Sequence, residues 1–214
     1  MFKLNKWLGG NSIMSDIWMN TDERKDAIAS LKLYADVINR CGNDLSYWKW
    51  ALISLHSAVQ AVMAIHLGFG NNMLVMRQED AEKWLDAHDN GKPYPSTKMD
   101  TFLNLYKKIK RHTVFRYRYA PKAQQGRSMK YLNLFRNEFV HFMPKGWSIG
   151  LSGMPNICVD CLEVIRELNA GFVHSRWDSE EQAAEFEVLL VEAAKATKDL
   201  HNRYAANKPI QPTS

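Results

Sequence analysis

The sequence predicts an all-α protein, an up-and-down helical bundle in one domain with no substantial sheet. Three observations predict it. Apolar residues recur at steps of three and four through most of the chain, and the segments so marked are divided by short Gly, Pro and Asn clusters. The one stretch that alternates like a strand, from Val114 to Tyr119, is brief and has no second strand to pair with. At 214 residues and 46% hydrophobic content, the chain is large enough to bury a single real core.

Residues 1–19 hold Lys3, Lys6 and the pair Gly9-Gly10 and read as an N-terminal extension; residues 20–205 form the domain, and residues 206–214 (ending in NKPIQPTS) form a disordered tail. Asn20 and Glu23 have capping-box spacing, and Ala27, Leu31, Tyr34, Ile38 and Cys41 continue as one helical stripe that Gly42 stops. A second helix, antiparallel to the first, spans about Asp44 to Leu67 on the stripe Trp48, Leu52, Leu55, Val59 and Val62. A short helix from about Glu79 to His88 ends in the breaker cluster DNGKPYP. Thr97 and Asp100 open the next, with Phe102, Tyr106 and Ile109 inward. Between Thr113 and Gly126 the pattern fails, and an exposed basic arm is expected. Helix resumes from about Arg127 to Met143, stopped by Pro144 and Gly146. Pro155 opens a further helix to about Asn169, and Ser179 with Gln182 caps a last one to about Tyr204.

The net charge of +5 is unevenly distributed. From Lys107 to Lys130 the chain carries nine Lys or Arg and no acid; from Asp178 to Glu192 it carries only acids. Such polarity concerns partners, not fold. No apolar run suits a signal peptide or approaches a membrane span, so a soluble cytoplasmic protein without a membrane partner is expected. Three cysteines, Cys41, Cys158 and Cys161, are too few and too odd for a disulfide framework and agree with a reducing compartment. Cys158 and Cys161 form a C-x-x-C, but it falls within the stripe Cys158, Cys161, Leu162, Ile165 and Leu168 and lacks two further ligands, so it is assigned to the core rather than to zinc. His56 and His66 are poorly spaced to share a metal, the tryptophans are assigned to core and interface, and no glycine-rich stretch has a nucleotide-binding pattern. No cofactor or metal is expected.

The chemistry-bearing segment is RNEFVHF, residues 136 to 142. Stepping about 100° per residue from Arg136 keeps Leu132, Phe139, Val140 and Met143 within roughly 60° of it, so the arginine lies in the middle of an apolar stripe. Asn133, Asn137 and His141 fall at about 60°, 100° and 140° and form a polar edge to that stripe. A desolvated guanidinium cannot shed its proton and requires compensation. Three environments supply it: an ion pair with a neighbouring helix or snorkelling at the bundle end, a dimer interface, or an anion site in which a phosphate meets Arg136 and His141 moves protons. One straight helix does not aim both side chains at one atom, whereas two copies about a twofold axis do.

Arg136-Asn137-Glu138-Phe139-Val140-His141 resembles the R-x(4–6)-H signature of HEPN domains, in the frequent form with a polar residue after the arginine. FRNEFVHFMPKGWSI, followed by an apolar helix, is similar to a bacterial HEPN-like group, and WKWALISLHSAVQAVM resembles an earlier bundle helix of that group. The likeness runs from about Arg127 to Leu168, is weaker over Tyr47 to Leu67 and is absent at the termini. It implies a HEPN-like bundle dimerised through the helix 127–143, and a metal-independent endoribonuclease of toxin, antiphage or RNA-processing type. Related folds that lack catalysis make a non-catalytic RNA- or protein-binding dimer the alternative. An antitoxin, for instance a nucleotidyltransferase-like one, or another regulatory protein is a further implied partner.

Under that resemblance Arg136 clamps phosphate, His141 is the acid or base and Asn137 orients one or the other, leaving 2′,3′-cyclic phosphate and 5′-hydroxyl ends. The basic arm supplies the RNA-binding surface: Lys107, Lys108, Lys110, Arg111, Arg116, Arg118, Lys122, Arg127 and Lys130 for phosphates, with Phe115, Tyr117 and Tyr119 stacking on bases. The competing reading of the arm is a solvated loop, or one paired with the acidic helix of 178–192 or with an acidic protein.

Overall fold

The computed structural model describes residues 17–68, 70–114, 117–141, 146–170 and 176–206. The expected extension and tail therefore lie mostly outside the described residues. Seven α-helices follow one another: α1 (Glu23–Arg40), α2 (Trp48–Leu67), α3 (Gln78–Asp89), α4 (Phe102–Arg111), α5 (Gln125–His141), α6 (Met154–Ala170) and α7 (Glu180–Ala206). Among the described residues no strand forms, and the only β pairing consists of two isolated antiparallel bridges, Met76 with Met99 and Val114 with Tyr117. The all-α expectation holds.

The central element is α2. It packs against α1, α4, α5 and α6, while α7 closes the bundle against α1 and α6. Being covered on several sides, α2 is apolar nearly all round, which is what a fully enclosed helix requires. Leu45–Leu67 is consequently long and apolar enough to cross a membrane by length and composition, a correction to the expectation that no segment approaches a span; 78% of that window is buried inside the bundle. Its predicted start also shifts, because Leu45–Tyr47 forms a 3-10 turn capped by Asp44 before the α-helix begins at Trp48.

The α1 stripe of Ala27, Leu31, Tyr34, Ile38 and Cys41 is fully enclosed. Its cap is Asp22 rather than Asn20, with the carboxylate accepting from Arg24 N at 3.0 Å and Lys25 N at 2.9 Å. Buried polar contacts fix how α7 lies on the bundle. Tyr34 Oη is 2.7 Å from Thr197 Oγ1, and Trp48 Nε1 donates to Tyr204 Oη at 2.9 Å. The capping pair of α7 forms with a one-residue shift: Ser179 Oγ accepts from Gln182 N, and Gln182 Oε1 accepts from Asp178 N.

Between α2 and α4 the chain makes an excursion. Its stem is the Met76–Met99 bridge, reinforced by Asp100 N donating to Val75 O at 2.9 Å, and by Lys108, which donates to Met76 O at 2.6 Å and pairs with Asp100 at 2.8 Å. Within it, α3 buries one residue, Ala87. Trp84 stacks on Tyr94 (centroids 4.7 Å apart, 10° between planes) and on His88, and His88 Nδ1 is 3.0 Å from Tyr94 Oη. These rings tie the return loop to α3. The start expected at Thr97 is corrected: Asp100 turns its carboxylate back onto Thr101 N and Asn104, and the helix begins at Phe102.

Cys41, Cys158 and Cys161 are free thiols with no exposure, as the core reading requires. Burial pushes Cys41 and Cys158 up to about 12 and raises Cys161 too. Among the described residues no cluster of His, Cys, Asp and Glu has the make-up of a metal site. Of the tryptophans expected in core and interface, Trp48 and Trp177 are core, and Trp18 and Trp50 are about half exposed.

Candidate functional site

Helix α5 is held most tightly by its first half. Gln125, Ser128, Met129 and Leu132 are buried, and Ser128 Oγ donates to Asp160 Oδ2 of α6 at 2.5 Å. Beyond Leu132, no residue of α5 is fully enclosed. In the last nine residues, Asn133 to His141, Phe135 and Phe139 pack half-buried against the core, whereas Leu134, Asn137, Val140 and His141 are exposed.

This changes the setting of Arg136. It is on the inward side of the helix, as its angular position demands, but it is half-buried rather than enclosed. Nη1 donates to Asn137 Oδ1 at 3.0 Å, and among the described residues no carboxylate pairs with it. The structural ion-pair reading therefore has no partner to point to. Asn137 and His141 are both exposed, and His141 is the final helical residue. Met143, expected in the stripe, lies outside the described residues.

Close to the arginine charge lies His56 of α2, a residue whose spacing from His66 points to no site in the sequence. It is 4% exposed, stacks on Phe102 with ring centroids 4.1 Å apart, and its Nε2 is 3.3 Å from Asn133 Oδ1. Burial, with a smaller push from the Arg136 charge, pulls its pKa down to about 4 against the opposing Asn133 bond. The ring is neutral at pH 7, and because Asn133 Oδ1 only accepts, its proton is on Nε2. His56 thus orients Asn133, one turn before Asn137, and holds the floor under Arg136 without adding a charge. Its one sequence signal was a histidine at an inward position of an otherwise apolar helix.

The exposed side of α5 carries Arg127, Lys130, Tyr131, Leu134, Asn137 and His141. Lys130 and His141 are on the same face, about 16 Å apart along the axis. Tyr131 and Leu134, on this side, are 43% and 49% exposed, and Val140, on the Arg136 side of the helix, is 44% exposed.

The basic arm is only partly the free surface that was expected. Lys107, Arg111, Arg118, Arg127 and Lys130 are exposed, and Lys110, lying over the Tyr106 ring, belongs with them. Partial burial lowers the Lys110 pKa, and the charges of Lys130, Arg111 and Lys107 lower it further, so these four cations from α4 and α5 share one patch. The other assignments are corrected. Tyr119 is 1% exposed and donates to Gln125 Oε1 at 2.8 Å, so it cannot stack on a base. Tyr117 is half-buried with its edge toward His66. Lys108 is committed to the excursion stem, and Lys122 pairs with Glu167 of α6 at 3.0 Å. The arm thus finds its acid on α6, not on the acidic stretch of 178–192. Phe115 and Arg116 lie outside the described residues. Gln125 ties the arm down: its Oε1 accepts from Tyr119 Oη and Lys122 N together, a role no residue pattern announced.

Comparisons with family models, with curated proteins and with solved structures found no match to this chain.

Proposed function

We propose that this protein is a metal-independent endoribonuclease of HEPN type, acting as a homodimer through the second half of α5. The observation that carries the reading is the Arg136–Asn137 pair, one turn before His141, with the arginine half-buried and Asn137 and His141 exposed. The exposed Tyr131 and Leu134 supply apolar area for a second copy, whose approach would complete a cleft from two such helices.

The chemistry asks little of the protein, because RNA carries its own nucleophile. His141 takes the 2′-hydroxyl proton or returns one to the leaving 5′-oxygen, worth typically about 10² to 10⁴ in rate. Arg136 offers two parallel donors to the phosphate, a contact that strengthens as charge builds in the transition state, and Asn137 holds that guanidinium in place. Lys107, Lys110, Arg111 and Lys130 would carry the flanking phosphates.

The test is incubation of the purified protein with total RNA in excess EDTA, beside His141→Ala, with product ends determined. Cleavage that survives EDTA, leaves cyclic phosphates and disappears in the variant is the expected outcome. A folded dimer that binds RNA without cutting it would replace the enzyme by a binding module; cutting indifferent to His141 would refute the site.

A further inference from the structure

Helices α6 and α7 bound a groove of about 630 Å³ on a surface that includes neither Arg136 nor the basic patch. Its floor is apolar: Val159 and Leu162 from α6, Val191 and Ala194 from α7. Val191 is 62% exposed, and Val188, one turn earlier, is 57% exposed, so the floor meets water. The rim is cationic, with Arg166 on one side and Lys195, Lys198 and His201 on the other. Glu163 engages Arg166, whereas among the described residues Lys195, Lys198 and His201 are in no ion pair.

We propose that this groove docks an acidic amphipathic helix from a partner protein. Shape is the first argument. The lining runs from Asn156 to Arg166 on α6 and from Val191 to His201 on α7. Each stretch spans about 15 Å, close to three helical turns, and an open trough between two helices fits the apolar face of a third. Charge is the second argument. Carboxylates flanking that face meet two unpaired lysines, Lys195 and Lys198, and a basic helix is repelled by them.

The groove also fixes direction. α7 shifts in charge along its length, from Glu180, Glu181, Glu185, Glu187 and Glu192 to Lys195, Lys198 and Arg203, with Asp199 the one acid among the latter. The partner's acids therefore belong over the second half of α7. Acidic residues favour a helix's own N-terminus, so the partner runs antiparallel to α7.

The test uses the full-length chain and two fluorescein-labelled fifteen-residue peptides with the same apolar i, i+3, i+4, i+7 face. One carries Glu beside that face in its first half, and the other carries Lys at the same places. Fluorescence anisotropy should show the acidic peptide binding, and the basic one at least about tenfold more weakly. Lys195→Glu with Lys198→Glu should reverse that preference. Both lysines are exposed, so the fold should survive; should the reversal unfold the chain, the double alanine variant, losing affinity for the acidic peptide, replaces it. Failure of the acidic peptide to bind, or equal binding by wild type and variant, overturns the proposal. So does a change in the protein's own oligomeric state on Val191→Asp in sedimentation, which would make a second copy the occupant. None of these outcomes depends on RNA cleavage.

Discussion

Arginine 136 replaced by alanine separates a catalytic from a structural role through two readouts that move in opposite ways. In the structure the side chain is half-buried and makes one side-chain hydrogen bond, to Asn137 at 3.0 Å, at an exposed place. Losing such a bond costs about 0.5 to 1 kcal/mol. For a chain of this size each kcal/mol moves the melting temperature by about 2 to 4 °C, so a fall of about 4 °C or less is expected. Breaking a buried ion pair would instead cost about 3 to 5 kcal/mol, a fall of at least about 6 °C. The assay is a thermal melt at two protein concentrations beside RNA cleavage in EDTA, because a lost dimer lowers the melt mainly when dilute. A near-normal melt with cleavage abolished is the expected pair. A fall of more than about 6 °C at both concentrations would refute the argument, since it would mean the arginine holds the fold.

Alanine at Lys107, Lys110, Arg111 or Lys130 should weaken RNA binding and lower the slope of log affinity against log salt by about 0.7 per residue; Lys108→Ala and Lys122→Ala should leave that slope alone, and filter binding across a salt series distinguishes them. His56 and His66 have pKa values pulled from 6.5 to about 4 in the fold, so the unfolded chain binds the extra protons: their stabilisation is complete above about pH 6.5 and lost as pH falls toward 4. Melting temperature should drop across that window, less steeply for His56→Gln, which can still donate to Asn133; an identical slope would show that His56 titrates normally. Cys41, Cys158 and Cys161 should resist a disulfide exchange reagent in native buffer and react together in guanidinium, and a fast native thiol would contradict their burial.

The elements that periodicity located are those whose neighbours lie on one side. The α1 stripe from Ala27 to Cys41 and the inward residues of α2 are buried as their spacing requires, because a helical face is a property of the helix itself. What failed depended on distant partners. Tyr119 alternates with two arginines and looks outward in sequence, yet Gln125 receives its hydroxyl and the core takes its ring. Lys108 sits in a run of cations indistinguishable from its neighbours until Asp100 and the Met76 carbonyl are placed beside it. Arg136 is instructive in both directions: its angle on α5 was legible, but a helical wheel does not show how far the neighbours cover each turn, so it could not reveal that the side chain is half-buried rather than enclosed. His56 escaped for a similar reason, since its tie to Asn133 spans 77 positions.

The excursion carrying α3 leaves the bundle and returns to it at adjoining points, for Met76 and Met99 face one another across a single bridge. Paired strand residues stand only about 5 Å apart, a gap that a tight turn spans. What lies between is therefore a detachable module: it contributes one buried alanine to the packing, keeps its own aromatic brace, and is latched from the bundle side by Lys108. Such a site lets a lineage lengthen, shorten or exchange an appendage while the helices beneath keep every contact.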